Sequence, residues 1–211
     1  MSTVITATEP PNRNAAPPRL ELVREFINTA ELDENTDLLT DLTGLRSWFV
    51  DKGLLGAGSR VTESERTQAV DFRESLRDIL SAHTAGIVST GAVRLLDAAV
   101  KQIPMRLRVD DTGWVRVAAA GKDFDGALGE LLARVYEAME DGSWQRMKAC
   151  GDGTCRWAFF DHSKNRSAHW CDMAVCGNRA KVTAFRQRQA ATQGSARGIQ
   201  KHRTVKVTKK A

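Results

Sequence analysis

CGDGTCRWAFFDHSKNRSAHWCDMAVC, residues 150–176, holds all four cysteines of a 211-residue chain in the pattern C-x4-C-x15-C-x4-C. Two cysteines joined by a short loop can turn both thiolates to one ion, and two such pairs supply the four-sulfur set of a tetrahedral zinc site. Cys150 and Cys155 form the first knuckle, where Gly151 and Gly153 are expected to let the backbone fold back tightly. Cys171 and Cys176 form the second, with Gly177 directly after it. Trp157, Phe159 and Phe160 lie between the knuckles in a segment too small for a core of its own. They are expected beside the metal, whose binding energy then becomes folding energy. Two other readings stay open on spacing alone: four buried free thiols, or His162 or His169 replacing one cysteine as ligand. A redox pair is disfavoured, because C-x-x-C is absent.

Charge divides along the chain. Residues 1–143 carry 16 Lys+Arg against 23 Asp+Glu, and residues 144–211 carry 15 against 3, so an acidic body of net −7 is joined to a basic end of net +12. Clustered positive charge raises affinity and encounter rate for phosphate backbones, so nucleic acid is the partner this end suggests. After Gln189 the sequence turns to Ala, Thr, Gly, Ser and Lys/Arg without an acid, a composition that builds no core and is expected to be a disordered tail over 191–211. The Pro- and Thr-rich residues 1–19 lack the pattern of a secretory signal and read as a disordered leader. No run of 18 apolar residues marks a membrane span. A cytoplasmic location is the expectation, and in that reducing compartment clustered cysteines favour metal over disulfides.

The body reads as mostly helical. Leu20 to Ile27 is too brief an apolar run to separate strand from helix. Leu42, Leu45, Trp48 and Phe49 have helical spacing with Gly53 as a stop. Thr62-Glu63-Ser64-Glu65 is a capping box that opens a helix with Ala69, Phe72, Leu76, Ile79 and Leu80 on its apolar face, ending near Gly86. A further helix is expected over about 90–101, with Val93, Leu96 and Val100. The period then changes to two: Met105, Leu107 and Val109, then Val115 and Val117, alternate with polar residues around Asp111–Gly113, a hairpin near 104–118. Asp123 can cap a last long helix bearing Leu128, Leu131, Leu132, Val135 and Met139, stopped by Gly142. The fold class is mainly α: a helical N-terminal domain over 20–143 with one β-hairpin, then a small treble-clef-like or ribbon-like zinc finger over 144–190 ending in a helix.

Beyond Cys176, residues 177–188 predict that closing helix. At 100° per residue Val182 and Phe185 are expected to point into the finger's core, while Arg179 and Arg186, and likewise Lys181 and Arg188, repeat at seven and share outer faces. Such a basic helix suits phosphates or a groove.

Three runs carry a family resemblance: Arg146-Met-Lys148-x-Cys150; Cys155-Arg-Trp157-x-Phe159-Phe160-Asp161-x-Ser163-Lys164-Asn165-Arg166-Ser167; and Trp170-Cys171-x-Met173-x-x-Cys176-Gly177-Asn178-Arg179-Ala180-Lys181. Together they closely resemble the CGNR-type zinc finger. Proteins with that finger are mostly bacterial and carry an N-terminal helical ABATE domain, and the family is associated with stress-linked transcription regulation. Phe26-Ile27-Asn28-Thr29 and Leu42-x-x-Leu45-x-x-Trp48-x-x-x-x-Gly53-Leu54 resemble that domain more weakly. The resemblance implies zinc on Cys150, Cys155, Cys171 and Cys176. It also implies nucleic-acid contact by Lys164 and Arg166 of the loop and Arg179, Lys181, Arg186 and Arg188 of the helix, and double-stranded DNA is the partner expected. Asn28 and Thr29 are candidates for binding a small-molecule effector in a body that either senses a ligand or forms a homodimer. A finger that grips RNA or a protein partner is the competing expectation, since fold does not decide function. Catalysis by Asp161-His162-Ser163 is not expected, because adjacency does not make a triad and four cysteines leave zinc no open position for water.

Overall fold

A computed structural model describes residues 15–189, so the leader expected before residue 15 and the tail expected over 191–211 lie outside the described residues. The chain divides between Cys171 and Asp172 into two compact units. Six α-helices and three two-stranded antiparallel sheets make up the described residues, which are mainly α.

The first unit begins with α1 (Pro18–Ile27), which settles the run that periodicity left open. Pro17 and Pro18 preset the backbone of the first turn, and Leu20, Val23, Phe26 and Ile27 then fall on one fully buried face. Residues 18 and 19, expected in the leader, are therefore helical. A short bridge follows, β1 (Ala30–Glu31) with β2 (Thr36–Asp37), turned at Asn35 in the left-handed region. α2 (Leu42–Asp51) is capped by Asp41, whose Oδ1 accepts from the Gly44 N–H at 2.8 Å. α3 (Glu63–Ala85) starts on the expected box: the Glu65 N–H donates to Thr62 Oγ1 at 3.3 Å and the Thr62 N–H to Glu65 Oε2 at 2.6 Å. α4 (Thr90–Val100) buries only Ala92 and leaves Val93 exposed, so its expected apolar face is only partly used.

β3 (Met105–Val109) and β4 (Val115–Ala119) form the expected hairpin, in register from Met105 opposite Ala119 to Val109 opposite Val115. Its Met105–Ala119 end approaches α5 (Phe124–Glu140) at Gly129, where a Cβ would lie 2.9 Å from that of Ala119. The far end carries Leu107 and Trp114 at 73% and 70% exposure, so the alternation marks a sheet face that mostly meets solvent.

Phe26, Phe49, Phe72 and Phe124 centre the core, with neighbouring rings 5.3–6.0 Å apart. The same core continues into the finger. A short 3-10 turn, Trp144–Arg146, leads to β5 (Met147–Ala149) and β6 (Ala158–Phe160), and Trp144, Met147, Ala149, Ala158 and Phe160 all belong to the buried cluster of the body. Polar clamps join them as well. His83 Nδ1 meets the Met147 carbonyl at 2.8 Å, Thr84 Oγ1 donates to the Ala149 carbonyl at 2.6 Å, and Arg77 Nη1 donates to the Arg156 carbonyl at 3.1 Å. The expected boundary at 143/144 is thus no boundary in packing. A three-residue hairpin buries too little apolar surface alone, and it takes its core from α1 and α3.

The second unit, described through residue 189, consists of a wide turn, Met173–Gly177, and α6 over 178–189.

Candidate metal centre and basic surface

Each knuckle is shaped by an aspartate. In the first, the β5–β6 ladder extends one step as the Cys150 N–H donates to the Trp157 carbonyl at 2.9 Å. Asp152 then closes the turn: its Oδ1 accepts from Thr154 N and Oγ1, and its carbonyl accepts from the N–H groups of Cys155 and Arg156, both at 3.0 Å. The fold-back expected of Gly151 and Gly153 falls elsewhere. Arg156 takes the left-handed conformation, with φ 48°, and Gly153 has open space where a Cβ would stand. Gly151 instead permits close approach, its N–H donating to the His169 carbonyl at 2.8 Å where a Cβ would lie 3.0 Å from that oxygen. In the second knuckle Asp172 Oδ1 accepts from Ala174 N and Val175 N, and the turn widens to π-type geometry over Met173–Gly177. Gly177 lets the Met173 side chain lie close against the turn, since a Cβ there would stand 2.3 Å from Met173 Sδ and displace it. A knuckle at a hairpin tip and a second pair at the start of a helix make the finger treble-clef-like.

The ligand atoms of Cys150, Cys155, Cys171 and Cys176 all lie within 4.8 Å of one another. No disulfide joins them. The Sγ atoms of Cys155 and Cys171 are 3.7 Å apart, which matches the edge of ~3.8 Å that a tetrahedron with zinc–sulfur bonds of ~2.3 Å requires. Protons fit this cluster poorly. Donation from Cys155 and then Cys171 pulls the Cys150 thiol down to about 2, while Cys155 is held up to about 12 by its bond to Cys150, and Cys171 is raised as well by both neighbours. A dication among the sulfurs would let all of them ionise. His162 does not join the cluster; its Nε2 meets the Ala15 carbonyl at 2.8 Å. His169 is likewise outside it. The four sulfurs therefore fit zinc as a structural ion with a closed coordination shell.

Residues 146–189 match the CGNR zinc finger family. Residues 20–141, more than half of the chain, match the ABATE family, described as "Putative stress-induced transcription regulator". The chain belongs to the ABATE family. No curated protein matches it. The two family segments meet near residue 143, as the sequence suggests, whereas packing divides this ABATE chain at 171/172.

The ABATE chain presents its six candidate nucleic-acid residues to solvent. Lys164 and Arg166 stand exposed on the loop between β6 and Cys171, and Arg179, Lys181, Arg186 and Arg188 are exposed on α6. Val182 and Phe185, expected to face a finger core, are 47% and 56% exposed. Phe159 and Phe160, expected beside the metal, are buried on β6, and Phe160 belongs to the core cluster of the body.

Beneath the loop lies a buried ion pair that local sequence reasoning did not find. Lys148 Nζ donates to Asp161 Oδ2 at 2.7 Å, to the Arg166 carbonyl at 2.6 Å and to the Ala168 carbonyl at 3.0 Å. Asp161 also accepts from Ser163 N and Ala168 N. Burial pushes the Asp161 carboxyl up, but Lys148 and these donors outweigh it and hold it at about 2. Arg166 is kept at φ 52° by this frame. The only signal in the sequence was the motif context of both residues, since partners 13 positions apart leave no local pattern.

Asn28 and Thr29 are engaged within the protein. The Asn28 amide donates to the Ala158 carbonyl at 2.9 Å and accepts from the Ala158 N–H at 2.8 Å, extending the edge of β6. Thr29 Oγ1 donates to the Phe26 carbonyl and accepts from Arg73 Nη1, and Nη1 and Nη2 of Arg73 fork onto the Asp37 carboxylate at 2.7 and 2.8 Å.

Proposed function

We propose that this protein is a zinc-dependent transcription regulator that binds double-stranded DNA, with a non-catalytic finger and a body that senses an effector or dimerises. The observation that carries the reading is a four-cysteine cluster followed, on loop and helix, by six exposed basic side chains. Zinc on Cys150, Cys155, Cys171 and Cys176 would cross-link the first knuckle to the second, and with four sulfurs it supplies no open position for chemistry. Lys164, Arg166, Arg179, Lys181, Arg186 and Arg188 would then contact phosphates, the arginines being suited to bidentate bonds. The ABATE family description and the net +12 of residues 144–211 support this reading. The reading places the protein in the cytoplasm, where free thiols persist; no described helix is long and apolar enough to cross a membrane.

Binding of the zinc-loaded chain to duplex DNA over a salt series tests the proposal. Affinity is expected to fall by roughly 10³ between 50 and 200 mM salt, and Arg186→Ala is expected to weaken binding while leaving zinc content unchanged. A flat salt response, or preference for structured RNA over duplex in competition, overturns it.

A further inference from the structure

Basic side chains also converge on the body, where Arg166, one of the six residues assigned above, meets others that are not among them. A shallow depression of about 460 Å³ within the first unit is lined by Arg19 of α1, Arg146 of the turn before β5, and His162 and Arg166 of the loop, against a single carboxylate, Asp141. Phe160 forms an apolar part of its lining, with the His162 ring 4.9 Å from its own. Charge is unbalanced here: three guanidinium groups face one acid. The arginines are also only partly used. Arg19 pairs with Asp141. Arg146 spends Nη1 on the carbonyls of Asp161 and Ser163, at 2.9 and 3.1 Å, which orients its guanidinium and leaves Nε and Nη2 without a partner among the described residues. The Arg166 guanidinium has no bonded partner among the described residues, and the buried Lys148–Asp161 pair holds its backbone in place.

We infer that this depression binds a phosphate group, which under the function proposed above is a phosphodiester of the DNA backbone. Planar guanidinium forks match the paired oxygens of a phosphate. The inference rests on the proposed function for the source of the phosphate, and it extends the contact surface from the finger loop onto α1 and the end of α5.

The test uses two substitutions that break the same ion pair with opposite effects on the depression. Arg19→Ala removes a donor, while Asp141→Asn removes the competing charge and keeps an oxygen that can accept from Ser143 N, as Oδ1 now does at 2.9 Å. In the zinc-loaded full-length chain, Arg19→Ala is expected to weaken duplex binding about fivefold and reduce the salt slope by about one, uniformly across sequences. Asp141→Asn is expected to tighten binding by a similar factor. Loss of the pair as a structural element would move both variants the same way, so weakening in both, or change in neither, overturns the inference while leaving the wild-type result to judge the function itself. If the wild type binds no nucleic acid, the proposed function fails, and titration with inorganic phosphate at constant ionic strength decides the depression. Saturable shifts of the Arg Nε–H resonances of Arg146 and Arg166 that weaken in Arg19→Ala sustain an oxyanion site; the absence of such shifts ends it.

Discussion

Lys148 and Asp161 show how much of this fold depends on single polar contacts that sequence patterns do not display. Both are buried, and their bond lies beneath the loop that offers Lys164 and Arg166 to solvent. Removing one partner leaves the other charge buried and unpaired, so Asp161→Ala is expected to cost about 3 to 5 kcal/mol, measured by urea denaturation of the zinc-loaded protein. Lys148→Met combined with Asp161→Leu is expected to recover most of that loss, since a buried pair exchanged for apolar residues of like size is often near neutral. The pair's stabilisation follows from a folded carboxyl at about 2, below the unfolded value of about 3.9. It is complete above about pH 4 and is lost as pH falls towards 2. An Asp161→Ala protein that unfolds at the wild-type urea midpoint would remove the pair from the account. The cysteines, by contrast, were legible at this scale, because their ligand geometry is set by spacings of a few residues. Asn28, Thr29 and Arg156 were not: their roles depend on partners far away in sequence, and only folding brings Asn28 to Ala158 or Arg77 to the Arg156 carbonyl.

Among the elements, those with local start and stop signals were read correctly. The capping box at Thr62 and the left-handed Gly86 bound α3 where expected, Asp123 caps α5, and the hairpin follows its alternation. Thr62→Ala should therefore remove about 1 kcal/mol, and Thr62→Asp should restore it, both read as shifts in urea midpoint with an unchanged slope. Equal stability of Thr62→Ala and the wild type would mean that the Glu65 bonds alone hold the first turn. Elements whose character depends on neighbours were harder. α1 is ten residues long, too short for its period to exclude a strand, and two prolines decide it. Val182 and Phe185 follow a helical period that sequence alone reads as an inward face, yet α6 exposes both. Period tells which residues share a face; it does not tell whether anything covers that face.

At the scale of the molecule, the two family segments are not two packing units. Trp144, Met147, Ala149, Ala158 and Phe160 belong to one buried cluster with Phe26, Phe72 and Leu76, and the clamps from His83, Thr84, Arg77 and Asn28 cross the same seam. Charge made the seam look like a domain boundary, because the basic residues begin just where the core passes beneath them. A ligand that binds only the folded state stabilises everything that unfolds with its site, by an amount set by its affinity. Metal removal should therefore reach the helices. Chelation is expected to lower the thermal midpoint of the whole first unit in one transition and to raise amide exchange in α1 and α3 together with β5 and β6, as read by calorimetry and by hydrogen exchange with mass spectrometry. Cys155→Ser should reproduce the effect without chelator, because its thiol supplies one of the four sulfurs. Were the finger a bead on a flexible string, chelation would melt 144–171 and leave exchange in α1 and α3 unchanged, an outcome that would refute a shared core. With the shared core, chelation is also expected to raise exchange around Thr29, Arg73 and Asp37, which hydrogen bonds tie to α1 and α3.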